Sequence, residues 1–269
     1  MITLLDGPMG TELAARGIPT PAPLWSAAAL TRAPAAVAHI HRDYAAAGAT
    51  VHTTNTFRTK RRQIPVGWEA LAERAVTLCR SAIPPGHRVA GSIAPLEDCY
   101  RPDLSPENPR PEHREICALL ARTGVDLLLC ETFPHVGEAL IAVEEAVATG
   151  LPTWVAFTGG PEGELLSPRE IEAGAREAVK RGASAVLVNC VAATRTLPYV
   201  ERLAEVGAPF GAYANAGRAE EGLGWNGDAG AERYADLAET WIRAGATLIG
   251  SCCGTGPAHI RALAARFRG

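Results

Sequence analysis

The sequence predicts an α/β protein folded as a single (β/α)8 TIM barrel. Three observations carry that prediction. Eight short apolar runs recur along the chain, an amphipathic Ala-rich stretch follows each of them, and glycine closes most of those stretches. The runs fall at 2–5, 50–53, 88–91, 126–129, 153–157, 185–188, 210–213 and 247–249. They are continuous rather than alternating, as expected of parallel strands covered on both faces. The helical stretches follow at 35–47, 68–81, 111–123, 136–149, 168–181, 197–206, 231–244 and 257–267. Ser167-Pro168-Arg169-Glu170 reads as an N-cap with Pro at the first helical position and Glu at the third. Gly48, Gly124, Gly150, Gly182, Gly207 and Gly245 each stand where a helix needs a left-handed residue to stop. Eight βα units with right-handed crossovers close into a barrel. An open doubly wound sheet is the runner-up, but no glycine-rich dinucleotide fingerprint follows the first strand.

The 269 residues (28.2 kDa) suit one such barrel, with no composition shift that marks a linker, so residues 1–269 are expected to form one domain. Apolar residues make up 47% and charged residues 20% of the chain. A net charge of −3 argues against nucleic acid or an anionic membrane as the main partner. No apolar window approaches the ~18 residues of a membrane span. The first residues lack a basic n-region, and Asp6 interrupts any hydrophobic run, so no signal peptide and a cytoplasmic location are expected. The seven cysteines are irregularly spaced and make no CxxC, which reads as core fillers, metal ligands or nucleophiles rather than a disulfide framework.

The polar and unusual residues cluster after the strands. These are Asp6-Gly7-Pro8-Met9-Gly10-Thr11, Thr54-Asn55-Thr56, Ser92-Ile93-Ala94-Pro95, Cys130-Glu131-Thr132, Asn189-Cys190, Ala214-Asn215-Ala216-Gly217 and Ser251-Cys252-Cys253-Gly254-Thr255. In a (β/α)8 barrel all of them meet at one rim, where such enzymes place their chemistry. The proline-rich segment 98–111 reads as a long loop walling that rim.

Cys190 ends strand six and Cys252-Cys253 end strand eight, with one strand between them. Two strand spacings are about 9–10 Å, less along a curved wall. Sulfurs leaning inward can therefore meet one ion, provided the last strand has ended before both Cys252 and Cys253; Gly254 permits the turn. Three thiolates with one open position describe a catalytic Zn2+ site. The alternative is that these are ordinary buried cysteines. Glu131 closes an apolar strand and reads either as the receptor for a substrate ammonium or as a structural carboxylate. Asp6 has both readings and a third, as N-cap of a short helix. Thr11, Thr54, Asn55 and Asn215 suit an amino-acid substrate or local loop bonding equally. Arg58, Lys60, Arg61 and Arg62 form a basic run, read as a solvated helix face or an anion contact. His39, His41 and His259 read as structural, and Cys79, Cys117 and Cys130 as core.

These motifs resemble the zinc-dependent homocysteine S-methyltransferases, of both the S-methylmethionine and the betaine type. The similarity runs through LLDGPMGTEL, GATVHTTNTF, AGSIAPLEDCY, DLLLCETFP, VNC, YANAG and IGSCCGTGPAHI, and NC with GSCCGT is the specific part. The resemblance implies the (β/α)8 fold, zinc on Cys190, Cys252 and Cys253, and homocysteine held by Glu131 and Asp6-Gly7. It also implies small-molecule partners, homocysteine and a methyl donor. Pro8, Ala94, Ala214 and Ser251 depart from the usual pattern, as do the 96–111 loop and the basic run, which puts the donor in question. A sulfonium donor such as S-methylmethionine or S-adenosylmethionine leaves as a neutral thioether. A betaine donor needs an aromatic cage, for which Trp25, Tyr100 and Trp225 are the candidates. Two other classes stand beside this reading. One is a non-catalytic zinc-binding barrel, which would not need Glu131, Asp6 and Asn215. The other is a hydrolase with Cys190 as nucleophile, for which no histidine is placed to activate the thiol.

Overall fold

Eight parallel strands form one sheet: β1 (Thr3–Leu4), β2 (Val51–Thr53), β3 (Arg88–Ile93), β4 (Leu127–Phe133), β5 (Thr153–Phe157), β6 (Ala185–Ala192), β7 (Phe210–Asn215) and β8 (Leu248–Ser251). Each pairs with its neighbour in the order β1-β8-β7-β6-β5-β4-β3-β2. A parallel bridge between Leu5 and Val51, with the Asp6 amide donating to Val51 O at 3.0 Å, joins the two ends. The chain is thus a (β/α)8 barrel. The computed structural model describes residues 1–225 and 227–267.

Among the described residues ten α-helices surround the ring: α1 (Met9–Ala15), α2 (Ala29–Arg32), α3 (Pro34–Ala47), α4 (Trp68–Ala82), α5 (Arg110–Arg122), α6 (Val136–Val147), α7 (Pro168–Lys180), α8 (Leu197–Leu203), α9 (Ala231–Arg243) and α10 (Pro257–Phe267). The caps follow the local chemistry. Ser167 and Glu170 make a complete capping box at the start of α7. All six expected stop glycines have positive φ, between 81° and 114°. Among the described residues no helix is long and apolar enough to cross a membrane.

Period-two alternation divides the strand residues between two cores. Leu5, Val51, Ala90, Leu127, Leu129 and Leu187 fill the barrel interior. Leu128, Cys130, Val155, Val186, Val188 and Ile249 pack outward against the helices, where Cys79 and Cys117 also lie. Strands β3, β4, β6, β7 and β8 run further than their apolar stretches suggest and carry polar rim residues near their C-terminal ends. Polarity there marks the mouth of the barrel, not the end of pairing.

Two of these extensions are irregular. The β4–β5 register shifts between Cys130 and Phe133, and the β6–β7 register shifts between Asn189 and Ala192. Thr132 (φ 62°) and Cys190 (φ 55°) sit in those shifts in the left-handed region. By alternation both side chains would face the helices. The bulges turn them toward the mouth.

Candidate active site

A cavity of about 560 Å3 opens at the strand C-terminal ends. It is lined by the segments after β1 and β2, by the ends of β4, β6, β7 and β8, and by the loop after β3. Trp25, Thr132, Cys190 and Trp225 are the non-glycine residues with positive φ among those described, and all four line it. Backbone strain gathers where side chains must be aimed.

Cys190, Cys252 and Cys253 converge on this cavity, their three Sγ atoms all within 4.8 Å of one another. Cys190 Sγ lies 2.8 Å from Cys252 Sγ, and Cys252 Sγ lies 4.0 Å from Cys253 Sγ. These values bracket the about 3.8 Å between two tetrahedral ligands with metal–sulfur bonds of about 2.3 Å. β8 ends at Ser251, so the two adjacent cysteines leave the regular strand, and Gly254 turns the chain at φ 83°. A Cβ on Gly254 would lie 2.5 Å from the Trp225 ring, which packs directly on this turn. Thr11 Oγ1 accepts from the Gly254 amide at 3.0 Å and braces it from α1. Asn189 steadies the other side. It accepts from the Thr132 amide at 3.1 Å, and its Nδ2 donates to Thr132 Oγ1 at 2.7 Å and to Cys190 Sγ at 3.5 Å.

The described lining contains no lysine, arginine or histidine. Hydrogen bonds from Cys190 and then Cys252 hold the Cys253 thiol well below its usual range, while bonding to Cys190 pushes Cys252 well above. Of the three thiols, Cys253 is the one favoured as thiolate, while Cys190 and Cys252 are pushed up. Three convergent soft donors of this kind fit a thiophilic divalent metal.

Glu131 is buried on the interior face of β4. Its Oε1 accepts from Ser92 Oγ on β3, and its Oε2 accepts from Tyr213 OH on β7 at 3.0 Å. Burial pushes its carboxyl above the ordinary 4.5, against the lowering effect of those two bonds. Thr132, next to Glu131 in sequence, bonds Asn189 instead. The apolar runs alone do not mark Ser92 and Tyr213 as Glu131's partners; the signal in the sequence is their alternation with Ala90 and Gly211.

Asp6 also lines the cavity, but it does not cap a helix. Pro8 precedes α1 and no side chain caps it. Asp6 Oδ2 instead accepts from the Thr53 amide at 3.0 Å, and burial pushes the carboxyl well above its usual range. Gly7 allows the chain to pass close by, since a Cβ there would meet Tyr44 OH at 2.7 Å and Ser251 Oγ at 2.8 Å. Thr54 lines the cavity and accepts from the Ser92 amide at 3.1 Å. Asn55 lines it too, but its amide is paired with Ser26, accepting from Oγ at 2.7 Å and donating to the carbonyl at 2.9 Å. Asn215 is not part of the lining. Its Nδ2 donates to Cys190 O at 3.0 Å and its Oδ1 accepts from the Gly217 amide at 2.8 Å, so it positions the Cys190 backbone.

The basic run is neither a helix face nor a cavity contact. Its residues form turns before α4 because their partners lie on other elements. Arg58 and Lys60 are buried. The Arg58 guanidinium lies 3.9 Å from the Trp25 ring centroid, and Lys60 donates to the carbonyls of Ala94 and Pro95. Burial lowers the Lys60 pKa to about 7. Arg61 and Arg62 pair on the surface with Glu115 and with Glu97 and Glu112. The loop after β3 does wall the mouth, with Cys99 and Tyr100 in the lining. Buried Glu138 on α6 holds that loop at both ends, accepting from the Leu96 amide at 2.8 Å and from Ser105 Oγ at 2.7 Å. Trp25, Phe57, Tyr100, Tyr213 and Trp225 form the aromatic part of the wall. His259 bonds the Gly256 amide at 3.1 Å, and His39 is exposed.

Fold and cavity together define a (β/α)8 enzyme whose mouth gathers a three-sulfur cluster and two carboxylates. The homocysteine S-methyltransferase family profile matches residues 3–267, and the chain belongs to that family. It is 32% identical to a homocysteine S-methyltransferase of Escherichia coli K12, over 98% of this chain and 95% of that protein. It is 31% identical to an S-methylmethionine–homocysteine S-methyltransferase of Pongo abelii, over 98% and 77%. The metallated form of the E. coli homocysteine methyltransferase MmuM superposes with a TM-score of 0.83 at 31% identity, over 98% of this chain and 96% of that one. The chain is therefore a methyltransferase, which displaces the hydrolase and the non-catalytic barrel as readings.

Proposed function

We propose that this enzyme transfers a methyl group from a sulfonium donor to the sulfur of homocysteine, giving methionine. The observation that carries the reading is the cavity's composition: three convergent sulfurs, two carboxylates and an aromatic wall, with no cationic side chain in the described lining. Cys190, Cys252 and Cys253 would hold Zn2+. Bound there, the metal supplies Lewis acidity that makes the substrate thiolate available at neutral pH. Glu131 receives the homocysteine ammonium, with Ser92 and Tyr213 fixing its carboxylate. Asp6 adds a second carboxyl group beside the Gly7 backbone. Thr11 and Asn215 act one step back, holding the Gly254 turn and the Cys190 carbonyl. Thr54 and Asn55 border the amino-acid end of the site.

In the chemical step the homocysteine sulfur attacks the methyl carbon in line. A new S–C bond forms while the donor's S–C bond breaks, and that electron pair stays on the donor sulfur. The departing group is a neutral thioether, so the donor's positive charge disappears in the reaction. A cavity that is negative and aromatic suits a cation on arrival and releases the neutral product. S-methylmethionine and S-adenosylmethionine both meet that description.

Residues 1–269 are taken as one domain carrying the whole activity, with small molecules as its partners. A reducing cytoplasm suits seven free cysteines, three of them functional. The test is methionine formation from homocysteine with S-methylmethionine, S-adenosylmethionine, dimethylsulfoniopropionate and betaine in separate assays. Turnover with a sulfonium is the expected result; turnover with betaine alone overturns the sulfonium reading.

A further inference from the structure

Beneath the mouth, on the helix side of β1 and β2, a second set of metal-type donors converges. Asp6 follows β1, His52 lies in β2 and His41 in α3, and all three are buried. Asp6 Oδ2 lies 4.0 Å from His41 Nδ1 and 4.0 Å from His52 Nδ1, and all the candidate ligand atoms are within 4.8 Å of one another. Among the described residues neither ring nitrogen of His41 has a hydrogen-bond partner. Buried polar nitrogens without partners are costly and rare. His41 is fully buried and turns one of its unpartnered nitrogens toward Asp6.

We propose that Asp6, His41 and His52 form a second metal site, taking a divalent first-row cation through two imidazoles and one carboxylate. The donor set suits the class: imidazole and carboxylate together bind zinc, cobalt, iron or nickel. The outer contacts are those such ligands have. His52 Nε2 is 3.0 Å from His87 Nδ1, with the two rings stacked, and the Thr53 amide donates to Asp6 Oδ2. A partner on the far nitrogen fixes which nitrogen faces the metal. Closing each 4.0 Å separation to the about 3.4 Å between tetrahedral ligands needs only small side-chain rotations. Asp6 also lines the cavity, which gives the ion a way in from the mouth. The site is distinct from the cysteine cluster in donors and in elements.

Metal-free protein is loaded with Co2+, dialysed, and assayed for bound cobalt and for the near-ultraviolet thiolate-to-cobalt absorption. The expected result is two cobalt ions per chain in the wild type. His52→Ala should hold one with the thiolate band intact, and Cys252→Ala should keep one without that band. His41→Asn provides a second variant, and unfolding curves of the metal-free proteins confirm that each is folded. A wild type holding one cobalt with the full thiolate band overturns the proposal. So do His52→Ala and His41→Asn proteins that both retain two. One wild-type cobalt without the band would support this site and overturn the cysteine assignment instead, so the two readings fail separately.

Discussion

At the helix-to-strand rim the left-handed residues that end the helices are glycines: Gly48, Gly124, Gly150, Gly182, Gly207 and Gly245. At the mouth, Trp25, Thr132, Cys190 and Trp225 hold the same backbone region with full side chains. A left-handed conformation costs an L-residue about 1–2 kcal/mol, and glycine avoids it. The lower rim has only to reverse the chain. The mouth has to turn a sulfur, a hydroxyl and two indoles toward one cavity, and the bulges in β4 and β6 do that for Thr132 and Cys190 at the expense of stability. Stability and chemistry are thus separated between the two ends of the same strands.

The sharpest break of that separation is at the mouth. Cys252→Ala should lose the zinc held at the cysteine cluster and all measurable methyl transfer while the barrel unfolds at nearly the wild-type temperature. Metal analysis, an activity assay and thermal unfolding check the three parts. Next in size is Glu131→Gln, which should keep zinc and weaken homocysteine binding at least tenfold, or about 1.4 kcal/mol. A thiol of similar length without the amine should bind almost as before, and parallel titration calorimetry makes the comparison. Wild-type homocysteine affinity should also fall with acid. The Glu131 carboxyl titrates above the ordinary 4.5 because it is buried, so its charge is lost at a higher pH than that of an exposed glutamate. Below that point binding should weaken by about a further tenfold per pH unit beyond the loss due to the homocysteine thiol, and Glu131→Gln should remove that added steepness. The smallest effect on activity belongs to the other rim. Gly182→Ala forces φ 102° on an alanine whose Cβ lies 2.9 Å from Val147, and should lower stability by about 1–2 kcal/mol with unchanged kinetics.

What was legible in the sequence follows the same division. The barrel could be counted because parallel strands covered on both faces leave continuous apolar runs, and its stop glycines mark themselves. The cysteine cluster could be found because a third cysteine recurs two strands from the adjacent pair. The direction of Cys190 could not, since alternation alone turns it toward the helices and only the register shift brings it back. Ser92 and Tyr213 look like ordinary strand residues until Glu131 is seen between them. Asn215 has the composition of a substrate ligand, but its amide is taken up by two backbone partners. Arg58 and Lys60 sit in a charged run, and their burial depends on Trp25 and on the carbonyls of Ala94 and Pro95, distant in the chain.

The central claim is that three cysteine sulfurs hold a zinc ion that homocysteine methylation requires. It is tested most directly by stripping wild-type protein with a chelator, restoring zinc in measured steps and following methionine formation with S-methylmethionine. The account predicts no activity without metal and a rate that rises linearly with zinc bound at the cysteine cluster, reaching its plateau when that cluster holds one ion per chain. Full activity in the stripped protein, or a rate indifferent to bound zinc, would contradict it.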